Sequence, residues 1–240
     1  MTDDVIIKGR NVVKLYDTGR VKVRALNGVD ITVKKGEMVS IMGPSGCGKT
    51  TLLNCFSGID DTTSGEILIE GKDLGKMSDN EKSRHRATRM GFIFQNYNLL
   101  PVLTAVENVE LPLLVTGVRP KVSKQKALRM LRLVGLEKRV DFKPSELSGG
   151  EQQRVTIARS LVNDPAIIWA DEPTGNLDAE TSKQIMDLLC NLNKEKRQTF
   201  VVVSHDTSVG ERANRVLRMR DGRFEREYVP GQSDAVQKQK

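Results

Sequence analysis

Residues 38–57 read MVSIMGPSGCGKTTLLNCFS, and this stretch decides the fold. Its first five residues are an apolar run typical of a buried strand, and residues 50–57 are typical of a helix that ends before Gly58. Residues 43–50 match G-x-x-x-x-G-K-[ST], a pattern in which backbone N–H groups surround phosphate oxygens at a helix N-terminus. The strand–loop–helix order therefore predicts a nucleotide-binding loop, against the alternative of a purely structural glycine loop.

The residue types in this loop predict specific contacts with a nucleotide. Lys49 is expected to reach the β- and γ-phosphates, and the Thr50 hydroxyl is expected to bind Mg²⁺. Cys47 lies near Lys49 and a helix N-terminus, conditions that lower a thiol pKa. It is either a reactive thiol that bound ATP protects or a small residue that only fills space. The predicted phosphate-binding residues are Gly43, Pro44, Ser45, Gly46, Cys47, Gly48, Lys49, Thr50 and Thr51.

A second motif ends another apolar strand, where residues 166–172 read AIIWADE. Asp171 is expected to hold Mg²⁺, and Glu172 is expected to polarise an attacking water molecule as general base. The alternative is a pair of acidic residues that merely ends the strand. Trp169 is interpreted as a core residue. Together the two motifs predict a P-loop NTPase and nothing more specific.

The remaining hydrophobic patterns predict an α/β fold. Residues 5–41 contain short strand patterns at 5–7 and 12–15 and an alternating one at 29–33. From about residue 97 to residue 163 the chain favours helices. Alternation of strands and helices on either side of this region predicts a parallel sheet covered by helices. The other predicted elements are strands at 66–69, 90–94, 166–170 and 199–204, and helices at 124–134, 151–163 and 179–192.

The composition excludes several classes of protein. The 240 residues are 38% hydrophobic and 29% charged, with a net charge of +7, as in globular proteins. No apolar run approaches the roughly 18 residues of a membrane-spanning helix. Three cysteines without ligand-like spacing argue against a disulfide framework or a zinc site and for a reducing cytosol. Basic residues concentrate at 82–89 and 119–143. These stretches are either solvated helix faces or a surface that binds anionic lipid.

A third motif identifies a family. Residues 147–151 read LSGGE, followed by Gln152, Gln153 and Arg154. With the first two motifs in this order, the chain resembles the nucleotide-binding subunits of ATP-binding cassette (ABC) transporters over about residues 5–228. The resemblance implies a RecA-like P-loop NTPase fold, with a parallel-sheet core, an N-terminal antiparallel β layer and an inserted α-helical subdomain. Residues 1–228 would form a single domain. Its catalytic core, with the β layer, would comprise residues 1–96 and 164–228, and its helical signature subdomain would comprise residues 97–163. Residues 229–240 are predicted to be a disordered tail.

The resemblance also implies a shared site. In the family, two Mg²⁺-bound ATP molecules lie between two subunits, and the signature of one faces the γ-phosphate bound by the other. Ser148, Gly149 and Gly150 would therefore contact nucleotide held by a second copy of the chain. A helix opened by a serine and two small residues suits this, because its N-terminus can approach a phosphate.

Four more residues match family positions one by one. Tyr16 matches an aromatic residue that stacks on adenine, and taken alone it would be a core residue. Gln95 matches the glutamine that senses Mg²⁺ and the attacking water. Asp178 matches an aspartate that reaches across the dimer, and it could equally be a helix N-cap. His205 matches the histidine that contacts the γ-phosphate.

Residues 98–112 and 173–178 are similar to the lipoprotein-releasing, macrolide-exporting and cell-division group (LolD, MacB and FtsE). There the first segment borders a groove for a membrane partner, so Leu99, Leu100, Val102 and Leu103 would be partner-facing or core. The resemblance implies an ATPase that drives a separate integral membrane permease, exporting or extracting an apolar or lipidated substrate. One alternative is FtsE-like mechanical control of cell-wall enzymes, and another is a soluble ABC ATPase acting on DNA or ribosomes. The expected partners are a second copy and a permease at the cytoplasmic face of the inner or plasma membrane, with no nucleic acid.

Overall fold

The computed structural model describes residues 4–17 and 19–232. The predicted tail therefore lies largely outside the described residues. The strands are β1 (Val5–Asp17), β2 (Lys22–Lys34), β3 (Met38–Met42), β4 (Ser64–Ile69), β5 (Lys72–Asp73), β6 (Met90–Phe94), β7 (Ile167–Asp171), β8 (Thr199–Ser204), β9 (Arg215–Arg220) and β10 (Arg223–Tyr228). The helices are α1 (Lys49–Phe56), α2 (Asp79–Arg89), α3 (Ala105–Val115), α4 (Pro120–Leu133), α5 (Gly149–Leu161), α6 (Ala179–Lys196) and α7 (Thr207–Gly210).

The chain divides into two compact units, and the first combines residues up to Met77 with those from Val201. Its antiparallel sheet has the order β2-β1-β4-β5. The short strands predicted before residue 34 are in fact parts of two strands of 13 residues, β1 and β2. Polar residues interrupt the apolar pattern of β1, but register shifts such as the one between Gly9 and Val12 keep the strand paired.

The first unit also contains the strand order β10-β9-β3. The buried strand β3 pairs in parallel with β9, and β9 pairs antiparallel with β10. This hairpin was not predicted, although Asp221-Gly222 at its turn is a strong hairpin signal. Both turn residues have positive φ, 47° at Asp221 and 75° at Gly222. The antiparallel layer and the parallel pairs confirm the predicted α/β class.

The second unit comprises Ser78–Phe200, and strand β8 contains the boundary between the units. In this unit β6 pairs in parallel with β7, with Phe94 opposite Asp171. Helix α5 approaches β6 so closely that a Cβ on Gly91 would collide with the carbonyl oxygen of Ser160. Helices α3, α4 and α5 pack on one another. The predicted core face of α5 is confirmed, since Val155, Ala158, Leu161 and Val162 are buried.

Helix α2 was missed by the sequence analysis, which treated its basic residues as a charged stretch. The signal was present, because Ser78 and Glu81 form a capping box in which each side chain accepts the other's backbone N–H. On α4 the buried residues are Ser123, Ala127 and Leu131 rather than its Lys and Arg residues, an exposure that fits both a solvated face and a surface for anionic lipid. Lys82 of α2 is an exception, because it is buried.

Trp169 is a core residue, as predicted, and its indole Nε1 is buried without a hydrogen-bond partner. Within residues 4–17 and 19–232, no helix combines the length and the apolar character needed to cross a bilayer. The predicted boundaries of the helical signature subdomain, at residues 97 and 163, stay a prediction.

Candidate functional site

The loop between β3 and α1 requires its glycines. Gly46 and Gly48 have φ values of 78° and 107°, in the left-handed region that disfavours side chains. A Cβ on Gly48 would also collide with the carbonyl oxygen of Ala25, and one on Gly43 with that of Met219. The backbone therefore turns tightly ahead of α1, and N–H groups at the start of this helix can bind an anion.

Lys49 is the first residue of α1 and is 7% exposed. Its ammonium group donates to the carbonyl oxygens of Gly43 at 2.8 Å and Pro44 at 2.9 Å, so the side chain folds over its own loop. Both acceptors are neutral carbonyl groups, so these two hydrogen bonds bring no negative charge to the ammonium group. A phosphate group in the loop would supply negative charge to this ammonium group. Thr50 is exposed and Thr51 is half-buried in the same helical turn.

Of the two alternatives for Cys47, a reactive thiol with a lowered pKa and a small residue that fills space, the structure favours the second. Burial raises the pKa of Cys47, and this effect outweighs the nearby Lys49 charge and the backbone N–H donors. The thiol is 6% exposed and lies against Gly43. A nearby lysine and a helix N-terminus lower the pKa of an exposed thiol, but at Cys47 desolvation of the thiolate dominates.

Slow alkylation is therefore expected at Cys47. Because the thiolate is the nucleophile, N-ethylmaleimide at pH 7 should modify the folded protein at least about tenfold more slowly than the protein in guanidinium chloride. Cys55 and Cys190 are also buried, and burial raises the pKa of Cys55 to about 12. Peptide mass spectrometry would measure each site separately. Labelling of Cys47 at the same rate before and after unfolding would contradict the result.

Two other predicted site residues belong to the first unit. Tyr16 lies near the end of β1 and is 38% exposed, so the alternative of a core tyrosine is wrong. Its hydroxyl donates to Asp60 Oδ2 at 2.7 Å. His205 directly follows β8 and is exposed. The structure thus leaves surface on both side chains for contact with a ligand.

In the second unit, Gln95 and Glu172 follow neighbouring strands. Because Phe94 and Asp171 are partners in the parallel ladder, the residues after them lie at the same edge of the sheet. Asp171 and Glu172 are both half-buried. Glu172 has a φ of 48°, an uncommon conformation for a residue other than glycine. The backbone thus turns sharply at Glu172, directly after the end of β7.

Gln95 is held by a reciprocal amide contact. Its Nε2 donates to Asn176 Oδ1 at 3.1 Å, and Asn176 Nδ2 donates to the backbone oxygen of Gln95 at 3.0 Å. Asn176 Nδ2 also donates to Asn96 Oδ1 at 3.1 Å. The segment after Glu172 therefore positions the glutamine, and the sequence analysis gave Asn176 no role.

Ser148 is the N-cap of α5. Its hydroxyl accepts from the backbone N–H of Glu151 at 3.2 Å, and Glu151 Oε2 accepts from the backbone N–H of Ser148 at 2.9 Å. The next two residues pack tightly, since a Cβ on Gly149 would lie 2.9 Å from the Tyr97 hydroxyl and one on Gly150 would lie 2.5 Å from Thr181 Cγ2. Each residue of this motif thus has a role within its own chain.

Asp178 is the N-cap of α6, which confirms that alternative. Its carboxylate accepts from the Thr181 hydroxyl at 2.6 Å and from the Thr181 backbone N–H at 3.0 Å. These hydrogen bonds lower the pKa of Asp178. The contact with a second copy stays a prediction.

Two residues of α5 that the sequence analysis did not single out hold the segments that carry predicted site residues. Gln153 is fully buried, and its Nε2 donates to the carbonyl oxygen of Pro173 at 2.6 Å. Arg159 donates to the carbonyl oxygens of Tyr97 at 2.8 Å and Asn98 at 2.6 Å. Helix α5 therefore holds the segments that follow Gln95 and Glu172. The sequence contained a signal for the contact of Gln153. This glutamine lies one turn from the apolar Ile157, and a polar side chain on an apolar helix face needs a hydrogen-bond partner.

Comparison with known proteins identifies the family of the chain. A sequence profile of the family described as ABC transporter matches residues 26–175. The chain is 50% identical over 215 residues to an uncharacterised ABC transporter ATP-binding protein from Thermotoga maritima, covering 90% of this chain and 92% of the relative.

Solved structures of similar proteins include the dimeric ATP-binding cassette MJ0796 in a post-hydrolysis state bound to ADP and phosphate. It has 43% identity and a TM-score of 0.87, over 95% of this chain and all of that one. A second is cbiO1 from Clostridium perfringens, part of the ABC transporter complex cbiONQ, with 29% identity and a TM-score of 0.84 over 95% of this chain and 89% of that one. The chain belongs to the ABC transporter family, as an ATP-binding subunit that hydrolyses ATP.

Proposed function

We propose that two copies of this chain close around two Mg²⁺-ATP molecules and reopen after hydrolysis, and that this cycle drives a separate membrane-spanning permease. The similarity to a cassette described as dimeric supports the closure step. Tyr16 would stack on adenine, Lys49 and residues 43–51 would hold the phosphates, and Ser148, Gly149 and Gly150 would contact the partner's nucleotide. Asp178 would reach the second copy while it caps α6.

In the proposed hydrolysis, Glu172 accepts the proton of the attacking water. Gln95 orients that water, and His205 contacts the γ-phosphate. The Asn176 amide contact supports the role of Gln95, because it restrains a side chain that must hold one orientation. Gln153 and Arg159 would hold the segments that follow Glu172 and Gln95 against α5.

The chemistry of the predicted metal ligands fits Mg²⁺. Thr50 supplies a hydroxyl, Asp171 a carboxylate and Gln95 an amide oxygen that its hydrogen bond to Asn176 does not use. Among the described residues, no group of three or more His, Cys, Asp or Glu side chains could form a metal cage. This agrees with Mg²⁺, which in nucleotide sites is bound by few protein ligands together with phosphates and water. When bound, the ion would neutralise phosphate charge.

A membrane partner is supported by one observation in particular. Leu100 and Val102 are 43% and 75% exposed, in the segment that the LolD, MacB and FtsE resemblance assigns to a partner groove. Because both apolar side chains are exposed, they are available for contact with a partner, whereas a core role would bury them. The chain would then be peripheral, at the cytoplasmic face of the membrane, and bound only through its permease. By resemblance, the permease would export or extract an apolar or lipidated substrate.

Capture of the permease tests this proposal. The Glu172→Gln chain with ATP would be used to isolate complexes from detergent-solubilised native membranes, followed by mass spectrometry. A four-span partner with a large external domain would support the proposal. The type of external domain would then distinguish export of a substrate from control of cell-wall enzymes. A partner with six or more spans would indicate another type of transporter. Ribosomal proteins or DNA without a membrane protein would contradict it.

A surface variant makes the capture specific. Val102→Arg should remove the partner and leave ATP hydrolysis by the isolated chain within about twofold of the native rate, because it charges an exposed apolar site. Val229→Arg is the matched control, since Val229 is a 40% exposed valine outside the patch. Capture by Val102→Arg at the native level would exclude this surface as the docking site.

A further inference from the structure

A cluster of three side chains, Lys14, Tyr16 and Asp60, lies at the end of β1. The Lys14 ammonium group donates to Asp60 Oδ1 at 2.6 Å, and the Tyr16 hydroxyl donates to Asp60 Oδ2 at 2.7 Å. The same ammonium group lies 4.8 Å from the centroid of the Tyr16 ring. One carboxylate thus binds two neighbours of the strand, and the lysine covers one face of the ring.

The backbone attaches this cluster to the helix that follows the phosphate loop. Asp60 N donates to the carbonyl oxygen of Asn54 in α1 at 3.1 Å. Thr63 N donates to the carbonyl oxygen of Val13 at 2.8 Å, and Leu15 N donates to Thr63 Oγ1 at 2.8 Å. The end of β1 is therefore fixed to the segment that leaves α1.

The charges of the cluster are compensated inside it. The Lys14 side chain is only 12% exposed. Burial favours its neutral form, but the hydrogen bond and charge of Asp60 prevail and raise the pKa of Lys14. Burial likewise favours neutral Asp60, yet hydrogen bonds from Lys14 and Tyr16 lower its pKa. Loss of either partner leaves the other without its counterion in a partly desolvated place.

We propose that Lys14 and Asp60 are positioning residues for nucleotide binding, which hold Tyr16 as a platform with a single open face. This inference rests on the proposed stacking of Tyr16 on adenine. Because Lys14 occupies one face of the ring, a purine can stack only on the other. The ammonium group also draws electron density towards its own side, which reduces the repulsion between the ring and the π-electrons of a base. Asp60 holds both groups in place and fixes the angle of the platform.

The test compares ATP with inorganic tripolyphosphate, which has the phosphate chain and no base. Dissociation constants would be measured with Mg²⁺ by isothermal titration calorimetry for the full chain. Asp60→Ala and Lys14→Met should weaken ATP binding about three- to tenfold, the range of a lost stacking or cation–π contribution. Tripolyphosphate binding should stay within about twofold of native, since the phosphate loop is unchanged.

A double variant separates positioning from general damage. If Asp60 acts through Tyr16, Asp60→Ala should weaken ATP binding no further when Tyr16→Ala is already present. Glu66→Ala is the matched control. Glu66 is another acidic residue that binds a basic residue of β1, and the variant removes only its exposed ion pair with Arg10. It should leave both ligands unaffected.

Each contrary result has a distinct meaning. Equal weakening of ATP and tripolyphosphate by Asp60→Ala, or additive effects of Asp60→Ala and Tyr16→Ala, would overturn the positioning role while the Tyr16 platform stands. No change in the ATP-to-tripolyphosphate ratio with Tyr16→Ala would remove the platform itself, and the inference with it. Failure of the native chain to bind either ligand would contradict the proposed function as a whole.

Discussion

Replacement of Glu172 by glutamine is expected to lower kcat for ATP hydrolysis at least about 100-fold, because general-base catalysis contributes about 10² to 10⁴. The amide has the same shape as the carboxylate but cannot accept the proton of the attacking water. ATP binding should persist, since residues 43–51 are unchanged, and the protein should accumulate as an ATP-bound dimer. Single-turnover hydrolysis and sedimentation velocity would measure the two effects.

The structure supplies a matched control for this variant. Glu70 has a φ of 49°, nearly the same as the 48° of Glu172. Glu70→Gln therefore makes the same chemical change in the same uncommon backbone conformation, and it should keep the native rate within about twofold. Hydrolysis by Glu172→Gln at the native rate would remove Glu172 from the base role.

Replacement of Ser148 by aspartate should abolish ATP-driven dimerisation. Aspartate is as good an N-cap as serine, so α5 should keep its first turn. In the proposed dimer, its carboxylate would face the partner's γ-phosphate, and like charges about 4 Å apart repel by about 4 kcal/mol at an effective dielectric constant of 20. The dimer should therefore weaken at least about 100-fold, as measured by sedimentation in the Glu172→Gln background with Mg²⁺-ATP.

Ser148→Asn is the control for the cap. Asparagine caps a helix equally well and carries no charge, so this variant should melt at the native temperature and still dimerise. The Ser148→Asp chain should also melt within about 2 °C of native, since its cap is preserved. A normal dimer of the Ser148→Asp chain would contradict the contact between Ser148 and the partner's nucleotide.

The local structures that were predicted around the site depend on short-range patterns. The phosphate loop was recognised from residues 43–50, because its glycines and Lys49 act within one turn of chain. The Asp178 cap needs only Thr181, three residues on. Helix α2 has the same kind of local signal in Ser78 and Glu81, but its many charged residues and lack of an apolar stripe obscure the helical pattern.

The incorrect or missing interpretations involve residues that are distant in sequence. The pKa of Cys47 is raised because the folded chain excludes water from the thiol, which no neighbouring residue reveals. Gln95 and Asn176 meet because β6 and β7 are adjacent strands. Tyr16 was assigned by resemblance, but its support by Asp60 requires the segment after α1 to return to β1.

The amino-acid sequence alone was sufficient to predict the α/β class, the glycine-rich loop between β3 and α1, and the two carboxylates at the end of β7, and its motifs were sufficient to identify the family by resemblance. The fold class and the loop follow from hydrophobic periodicity and glycine conformation within a few residues, whose energetics do not need the rest of the chain. The folded chain was needed to reveal the orientation and environment of those groups. Burial of Cys47, the Gln95–Asn176 contact, the close approach of Gly150 to Thr181 and the Tyr16 cluster all arise from packing between distant segments. Desolvation and hydrogen-bond geometry depend on that packing, and a linear pattern does not specify it.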